Sequence, residues 1–428
     1  MYDQSCNPAT LNAMMRRGDF HRVPKAARDL FREFTVAAAD NAARTYFGGT
    51  NPIKKFHLKK KSAYRLRSLS DDLVVRKISL NLRRLGKRKT NNRSLIIKTL
   101  NHFLAEGVPY KVYRLDIKSF YESFDQNAVK EKIDSLKIFP PQSKRILRLI
   151  LDHYHTIGGQ GLPRGMAISA DLSDFLMTDF DNHVRNHPAV YYYGRYVDDI
   201  LIITNLTEYH NEFLSELNLK LPSGLQFHTN KKKNQALSIA EKTKVQKGEK
   251  DGPKPPPKFK LSLDYLGYRF SVFDPPQSGS ARNDGCQRIV TVDIAPVKLA
   301  KIKSRIVRSL LDFRKTGNSS LLIDRIKYLT SNFYIMDKST CKRQLSGIYY
   351  SYPLLSPDAG GLLELDKFLR NAILSKKGRL FATTAPMLTS SLKRELLSYS
   401  FKTGHETQRF IYFSLTKIGD IQRCWKYE

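Results

Sequence analysis

Three aspartates are placed where acids can collect metal. Asp116 follows the apolar run KVYRL (111–115), and Asp198–Asp199 separate two β-rich runs, AVYYYGRYV and ILIIT. The first run predicts a strand ending at Asp116. The second pair predicts a tight hairpin whose turn carries two acids. Acids at strand ends have rigid supports and still reach solvent. Mg²⁺ prefers a few carboxylate oxygens completed by substrate phosphates. Two such ions about 3.5–4 Å apart can activate a 3′-hydroxyl and stabilise a leaving pyrophosphate. That chemistry is nucleotidyl transfer, governed by positioning and electrostatics. A Tyr-x-Asp-Asp turn alone is also the composition of an ordinary polar hairpin.

The elements that must hold these acids follow. Asp125 caps an expected helix in DQNAVKEKIDSL, and IGGQGLPRG (157–165) reads as loop. A helix over 172–184 carries Leu172, Phe175, Leu176, Phe180 and Val184 on its apolar stripe, with Asp171, Asp174 and Asp181 off it. No pattern dominates before Leu73. Residues 239–260 are charged and Pro-rich and read as a flexible insertion. LDYLGYRF and RIVTVDIA read as strands. From Pro296 the pattern turns helical to the end. Leu299, Ile302, Ile306, Leu310 and Phe313 make an apolar stripe, and Lys298, Lys301, Arg305 and Arg308 a basic one.

Composition narrows the partner. The 428 residues hold 73 Lys and Arg against 40 Asp and Glu, a net charge of +33. A chain of this length buries a sizeable core in two to three units. An excess this large points to a polyanion, nucleic acid or an anionic membrane. Residues 54–98 hold a net of +14, and 230–260 a net of +7. No apolar run approaches a membrane span, and MYDQSCNPAT has no apolar signal core, so a cytoplasmic protein is expected. Cys6, Cys286, Cys341 and Cys424 are far apart and read as reduced thiols. His183 and His187 have helical spacing but no zincin Glu, and read as surface histidines.

Five segments recur in order: YRLDIKSFYESFD (113–125), QGLPRGMAIS (160–169), RYVDDILII (195–203), LQFHTNKKK (225–233) and LDYLGYRF (263–270). The set resembles the palm motifs of reverse transcriptases over about 73–300. The resemblance implies an α+β right-hand polymerase with fingers, an antiparallel-sheet palm and an α-helical thumb. Its expected partition is 1–110 (basic extension and fingers), 111–295 (palm with finger elements) and 296–428 (thumb and C-terminal region). It implies an RNA-directed DNA polymerase using two Mg²⁺ ions, with Mn²⁺ as a substitute. Asp116, Asp198 and Asp199 become the catalytic, metal-binding acids, and the Ile117 carbonyl touches a metal. Tyr121 floors the sugar pocket and disfavours the 2′-hydroxyl of an rNTP. Gly161 and Gly165 let backbone approach template and nucleotide. Lys233 lies near the triphosphate, and Leu266–Gly267 in the primer grip. Lys298, Lys301, Arg305 and Arg308 are expected to contact nucleic acid.

Two departures from the family pattern stand out. Arg164 replaces the usual Gln of the second motif, directing it to phosphate or template. The fingers lack a lysine-rich hairpin followed by Arg, leaving Arg76, Lys77, Arg83, Arg84, Lys87 and Arg93 as triphosphate candidates. After the thumb, about a hundred residues show no RNase H acids, HNH array or protease signature.

VRKISLNLRR, NNRSLIIKTL, SGIYYSYPLL and LDKFLRNAI look like bacterial defence-associated, abortive-infection reverse transcriptases, closest to the single-protein type that works with an adjacent structured noncoding RNA. For that group the resemblance implies antiphage defence, with the RNA as template and scaffold, dNTPs as substrates and cDNA as product. The alternatives are protein-primed, template-independent synthesis on an exposed hydroxyl (Tyr349, Tyr350, Tyr352 and Tyr427 are among the tyrosines), and a retron or group II intron-type enzyme.

Overall fold

The computed structural model describes residues 2–21, 23–58, 61–85, 92–230, 233–239, 256–275, 287–336, 343–375 and 379–425. They fall into two compact units, Met1–Arg93 with Pro109–Ala240, and Ser94–Val108 with Glu241–Glu428. The boundary expected at 295 therefore lies inside the second unit. Most of the expected insertion, Lys87, Cys286, Cys341 and Tyr427 lie outside the described residues.

The first unit holds a hairpin, β1 (Ile53–Leu58) and β2 (Lys61–Leu66), and a four-stranded sheet. The sheet consists of β3 (Tyr110–Asp116), β4 (Val190–Tyr196), β5 (Asp199–Thr204) and β6 (Gln235–Ile239), in the order β4-β5-β3-β6 and antiparallel throughout. Ile200 and Ile202 of β5 join Tyr113 and Leu115 of β3 in one core with Leu147, Ile150, Leu172 and Phe180 from the covering helices. The alternation of the strands aims this face at the helices.

Regular structure begins well before Leu73, contrary to the expectation. The helix Arg28–Arg44 and the β1–β2 hairpin precede the helix Leu69–Leu85. Lysines at 54, 55 and 61 obscure the strand alternation in the sequence. The expected helix over 172–184 is two helices, Ala167–Leu176 and Thr178–Arg185, parted at Met177. Asp125 caps Gln126–Asp134 as expected, its carboxylate accepting from the Ala128 N–H at 2.7 Å.

The second unit contains a three-stranded antiparallel sheet, β7 (Lys258–Tyr265), β8 (Tyr268–Asp274) and β9 (Ile289–Ile294). Leu266 and Gly267 join β7 to β8 with φ of 46° and 85°, as a two-residue type I′ turn demands. The helix Pro296–Thr316 starts with Pro at its first turn and stops at Gly317, whose φ of 66° makes the left-handed cap. Its Leu299, Ile306, Leu310 and Phe313 are buried as the stripe requires. The unit is not helical to its end. A ribbon of β10 (Asn332–Met336) and β11 (Arg343–Gly347) interrupts it, too short to register against the helical background. Trp425 packs inward, its indole N–H donating to the Arg305 carbonyl at 3.0 Å.

Candidate active site

β3 and β5 bring two of the three acids side by side, because Asp116 and Asp199 are cross-strand partners at one end of the sheet. The sequence expectation put both Asp198 and Asp199 in the turn. The two-residue turn is instead Val197–Asp198, and Asp199 is the first residue of β5. Val197 has φ of 62° at the first central position, the place a type II′ turn reserves for Gly. A β-branched residue there is an outlier and stores strain of about 1–3 kcal/mol.

Buried Arg195 holds that turn. Its guanidinium donates to both carboxylate oxygens of Asp181 at 2.8 Å, to Asp174 at 3.1 Å, and to the Val197 carbonyl at 3.1 Å. The Tyr193 hydroxyl also donates to Asp181, at 2.7 Å. Asp181 was expected off the apolar stripe and is buried. The break at Met177 and the covering β4 strand turn it inward, toward Arg195.

Asp116 is fixed by its backbone. Its N–H donates to Asn234 Oδ1 at 2.8 Å, and its carbonyl accepts from the His228 N–H at 2.8 Å. Ile117 pairs with Phe227, and its N–H reaches the Asp198 carbonyl at 3.4 Å. Thus residues 226–228 and Asn234 brace this strand end. Lys233 extends Nζ to 2.7 Å from Asp116 Oδ2. Asn234, the residue after the lysine run, went unnoticed in the sequence because only its backbone-directed hydrogen bond gives it a role.

The electrostatics are those of a site short of positive charge. Burial pushes the Asp198 carboxyl above its ordinary range, with the Asp116 charge adding to the rise and Lys233 and Arg164 opposing it. Burial likewise raises Asp199, where Arg114 opposes and the charges of Asp198 and Asp116 add. Crowded, half-buried carboxylates of this kind call for cations.

Around the acids, Tyr121 is half-buried against Phe120, with ring centroids 5.2 Å apart. Burial raises its pKa. Arg164 forms a fork with Glu122, at 2.7 and 3.0 Å, and its guanidinium lies 6.0 Å from the Tyr121 ring centre. Glu122 was not among the sequence candidates, though it neighbours Tyr121. Gly161 (φ 62°) approaches this chain's own backbone, since an added Cβ would stand 2.2 Å from the Tyr121 carbonyl oxygen. Gly165 (φ 97°) similarly faces the Tyr64 carbonyl.

The basic candidates sort by their partners. Arg76 is buried and paired with Asp19 and Asp72. Lys77 is buried and donates to the Tyr2 hydroxyl and the Asp3 carbonyl. Both are held by groups of this chain. Arg84 stacks on Tyr2 at 3.8 Å. Arg83 is half-exposed and 3.2 Å from Asp171, and Arg93 opens the helix Arg93–Leu104. The β1–β2 hairpin carries Lys54, Lys55 and Lys61, with Arg65 on β2. Arg65 lines a cavity of about 190 Å³ with Arg16, Arg83 and residues 165–168 of the second motif.

Within the second unit, Leu266–Gly267 form the β7–β8 turn, and Lys298, Lys301, Arg305 and Arg308 follow one edge of their helix. Lys298 and Lys301 are exposed, whereas Arg305 packs over Trp425 at 5.4 Å. Away from the acids, His183 and His187 are not simple surface histidines, because both face Glu216, at 2.7 and 3.7 Å. Burial lifts the Cys6 thiol to about 11, consistent with a protonated thiol at neutral pH. Among the described residues no helix is long and apolar enough to cross a membrane.

Comparison with known families agrees with this geometry. A search of curated proteins finds no match. Residues 58–270 match the family described as Reverse transcriptase (RNA-dependent DNA polymerase). The matched span contains β3, the Val197–Asp198 turn, β5 and the bracing residues 226–228 and Asn234. The chain therefore carries a reverse transcriptase domain, and it is an RNA-directed DNA polymerase, a nucleotidyltransferase.

Proposed function

We propose that this polymerase serves bacterial antiphage defence in the cytoplasm by copying a dedicated, structured noncoding RNA into cDNA. The observation that carries the catalytic part is the Asp116–Asp199 cross-strand pair with Asp198 beside it on the turn. The likeness of segments 75–84, 91–100, 346–355 and 365–373 to defence-associated enzymes supports the biological part.

In this reading Asp116, Asp198, Asp199 and the Ile117 carbonyl hold two Mg²⁺ ions, or Mn²⁺ in their place. The donors fit, being all oxygen, half-buried and mutually repelling. Among the described residues no three acidic, His or Cys side chains close on one point. When bound, such ions activate the attacking hydroxyl and neutralise the departing pyrophosphate. Lys233 swings from Asp116 to the triphosphate. Tyr121 closes the sugar pocket against a 2′-hydroxyl. Arg83, Arg93 and Arg65 supply finger contacts, Arg164 with Gly165 flanks the nucleotide, and Leu266–Gly267 grips the primer. Residues 1–110, 111–295 and 296–428 act as fingers, palm and thumb.

The test is to sequence the nucleic acid that co-purifies with the protein before and after phage infection. One RNA and its complementary cDNA are expected. Asp198→Asn with Asp199→Asn should abolish the cDNA and the protection together, and protection that survives that change would overturn the proposal.

A further inference from the structure

The β10–β11 ribbon in the second unit has two unlike faces. One is buried, with Phe333 stacked on Tyr328 at 4.0 Å and Phe413 edge-on at 5.9 Å. The other follows from the register. Tyr334 opposes Leu345 and Met336 opposes Arg343, so these four side chains share the outer face. The chain returns at residues 409–412 to extend it. Asn332 accepts from the Ile411 N–H at 2.8 Å and donates its own N–H to the Arg409 carbonyl at 2.7 Å. Phe410 then lies 4.8 Å from Tyr334, and Arg343 lies 5.8 and 5.9 Å from the rings of Tyr334 and Tyr412. Phe410 is 43% exposed and Tyr412 67%.

Three rings interleaved with an exposed guanidinium suit a protein hot spot as well as a base-stacking platform, so the surrounding charge decides between them. Residues 296–428 carry 24 Lys and Arg against 10 acids, which opposes pairing with a second copy. The same features suit unpaired bases, which stack on aromatic rings and on Arg planes while the surrounding cations meet phosphate. A duplex hides its base faces and gains nothing from the rings.

We infer that this outer face, built from Tyr334, Arg343, Phe410 and Tyr412, docks single-stranded RNA. The inference takes from the proposed function only that the resident partner is RNA.

The test uses the full-length protein stripped of nucleic acid. An unstructured RNA oligomer carrying 5-iodouridine is cross-linked by ultraviolet light and mapped by peptide mass spectrometry. Attachment to Tyr334, Phe410 or Tyr412 is expected. Phe410→Ser with Tyr412→Ser should weaken binding of that RNA about tenfold or more, as loss of base stacking dictates. Tyr412→Leu, which keeps apolar bulk, should also weaken it if the double variant folds poorly. Extension of a pre-annealed RNA template–DNA primer should persist. Cross-links confined to other residues with unchanged affinity, equal or tighter binding of single-stranded DNA of the same sequence, or a changed oligomeric state of the RNA-free variant would each overturn the inference. Failure of the polymerase reading shows separately, as absent extension by the unaltered protein.

Discussion

Lys233 Nζ lies 2.7 Å from Asp116 Oδ2, so this lysine occupies the position of a cation beside the strand-end carboxylate. Lys233 is half-exposed, and such a pair is worth at most about 1 kcal/mol. A divalent ion displaces it at small cost. Lys233→Met should therefore lower the Mg²⁺ concentration at the midpoint of a thermal-shift titration by roughly two- to fivefold. It should also cut kcat/KM for dNTP incorporation by on the order of 100-fold, because a charge aimed at the triphosphate is lost.

Asp198 and Asp199 are held above the ordinary carboxylate range, first by burial. As pH rises through the window between the ordinary and the raised values, the unfolded chain ionises while the native state keeps its protons. Stability contributed by these groups therefore falls with rising pH. Asp198→Asn and Asp199→Asn should each raise Tm in metal-free buffer, with the gap over the unaltered protein widening from pH 4 to pH 7. Saturating Mg²⁺ should narrow the gap. Differential scanning calorimetry across that pH range measures both effects.

How far the sequence disclosed this arrangement depends on the range of the interactions. Asp116, Asp198 and Asp199 were legible because the strands flanking them are short apolar runs and their order along the chain is distinctive. The placement of Asp199 in β5 rather than in the turn was not, since a hairpin register is decided by the whole ladder. Asp181 and Arg195 are 14 residues apart, and nothing local marks them as partners. Their pairing needs the break at Met177 and the packing of β4 beside the helix Thr178–Arg185. Lys77 and Arg76 looked like free cations because Asp3 and Asp19 lie more than fifty residues away, although Asp72, four residues before Arg76, is a local partner. The β1–β2 hairpin hid behind its lysines, and the β10–β11 ribbon behind its brevity.

The Arg195–Asp181 pair is buried on both sides and holds a strained turn. Removing one partner takes the bidentate counterpart from a buried charge. Arg195→Met should cost about 3–5 kcal/mol, and so should Asp181→Leu. The double variant should cost less than the sum of the two. Urea unfolding of the four proteins provides the cycle. Where Arg195→Met remains folded, kcat should fall more than KM changes, since the turn that presents Asp198 is released.

Tyr121 is half-buried beside Arg164 and within the field of Asp198. Tyr121→Ala should raise rNTP incorporation relative to dNTP by about tenfold or more, on the scale of 1–3 kcal/mol for a steric contact in a pocket. The readout is single-nucleotide extension with matched dNTP and rNTP. An unchanged ratio would remove Tyr121 from the sugar pocket.

The central claim is that Asp116, Asp198 and Asp199 form the polymerase centre. The most direct measurement is primer extension by the full-length protein on an RNA template with dNTPs and Mg²⁺, set beside Asp116→Asn and Asp198→Asn variants shown by calorimetry to be folded. RNA-templated DNA synthesis by the unaltered protein, reduced at least a thousandfold in either variant, is the predicted result. Synthesis that persists at a comparable rate in a folded variant would contradict the account.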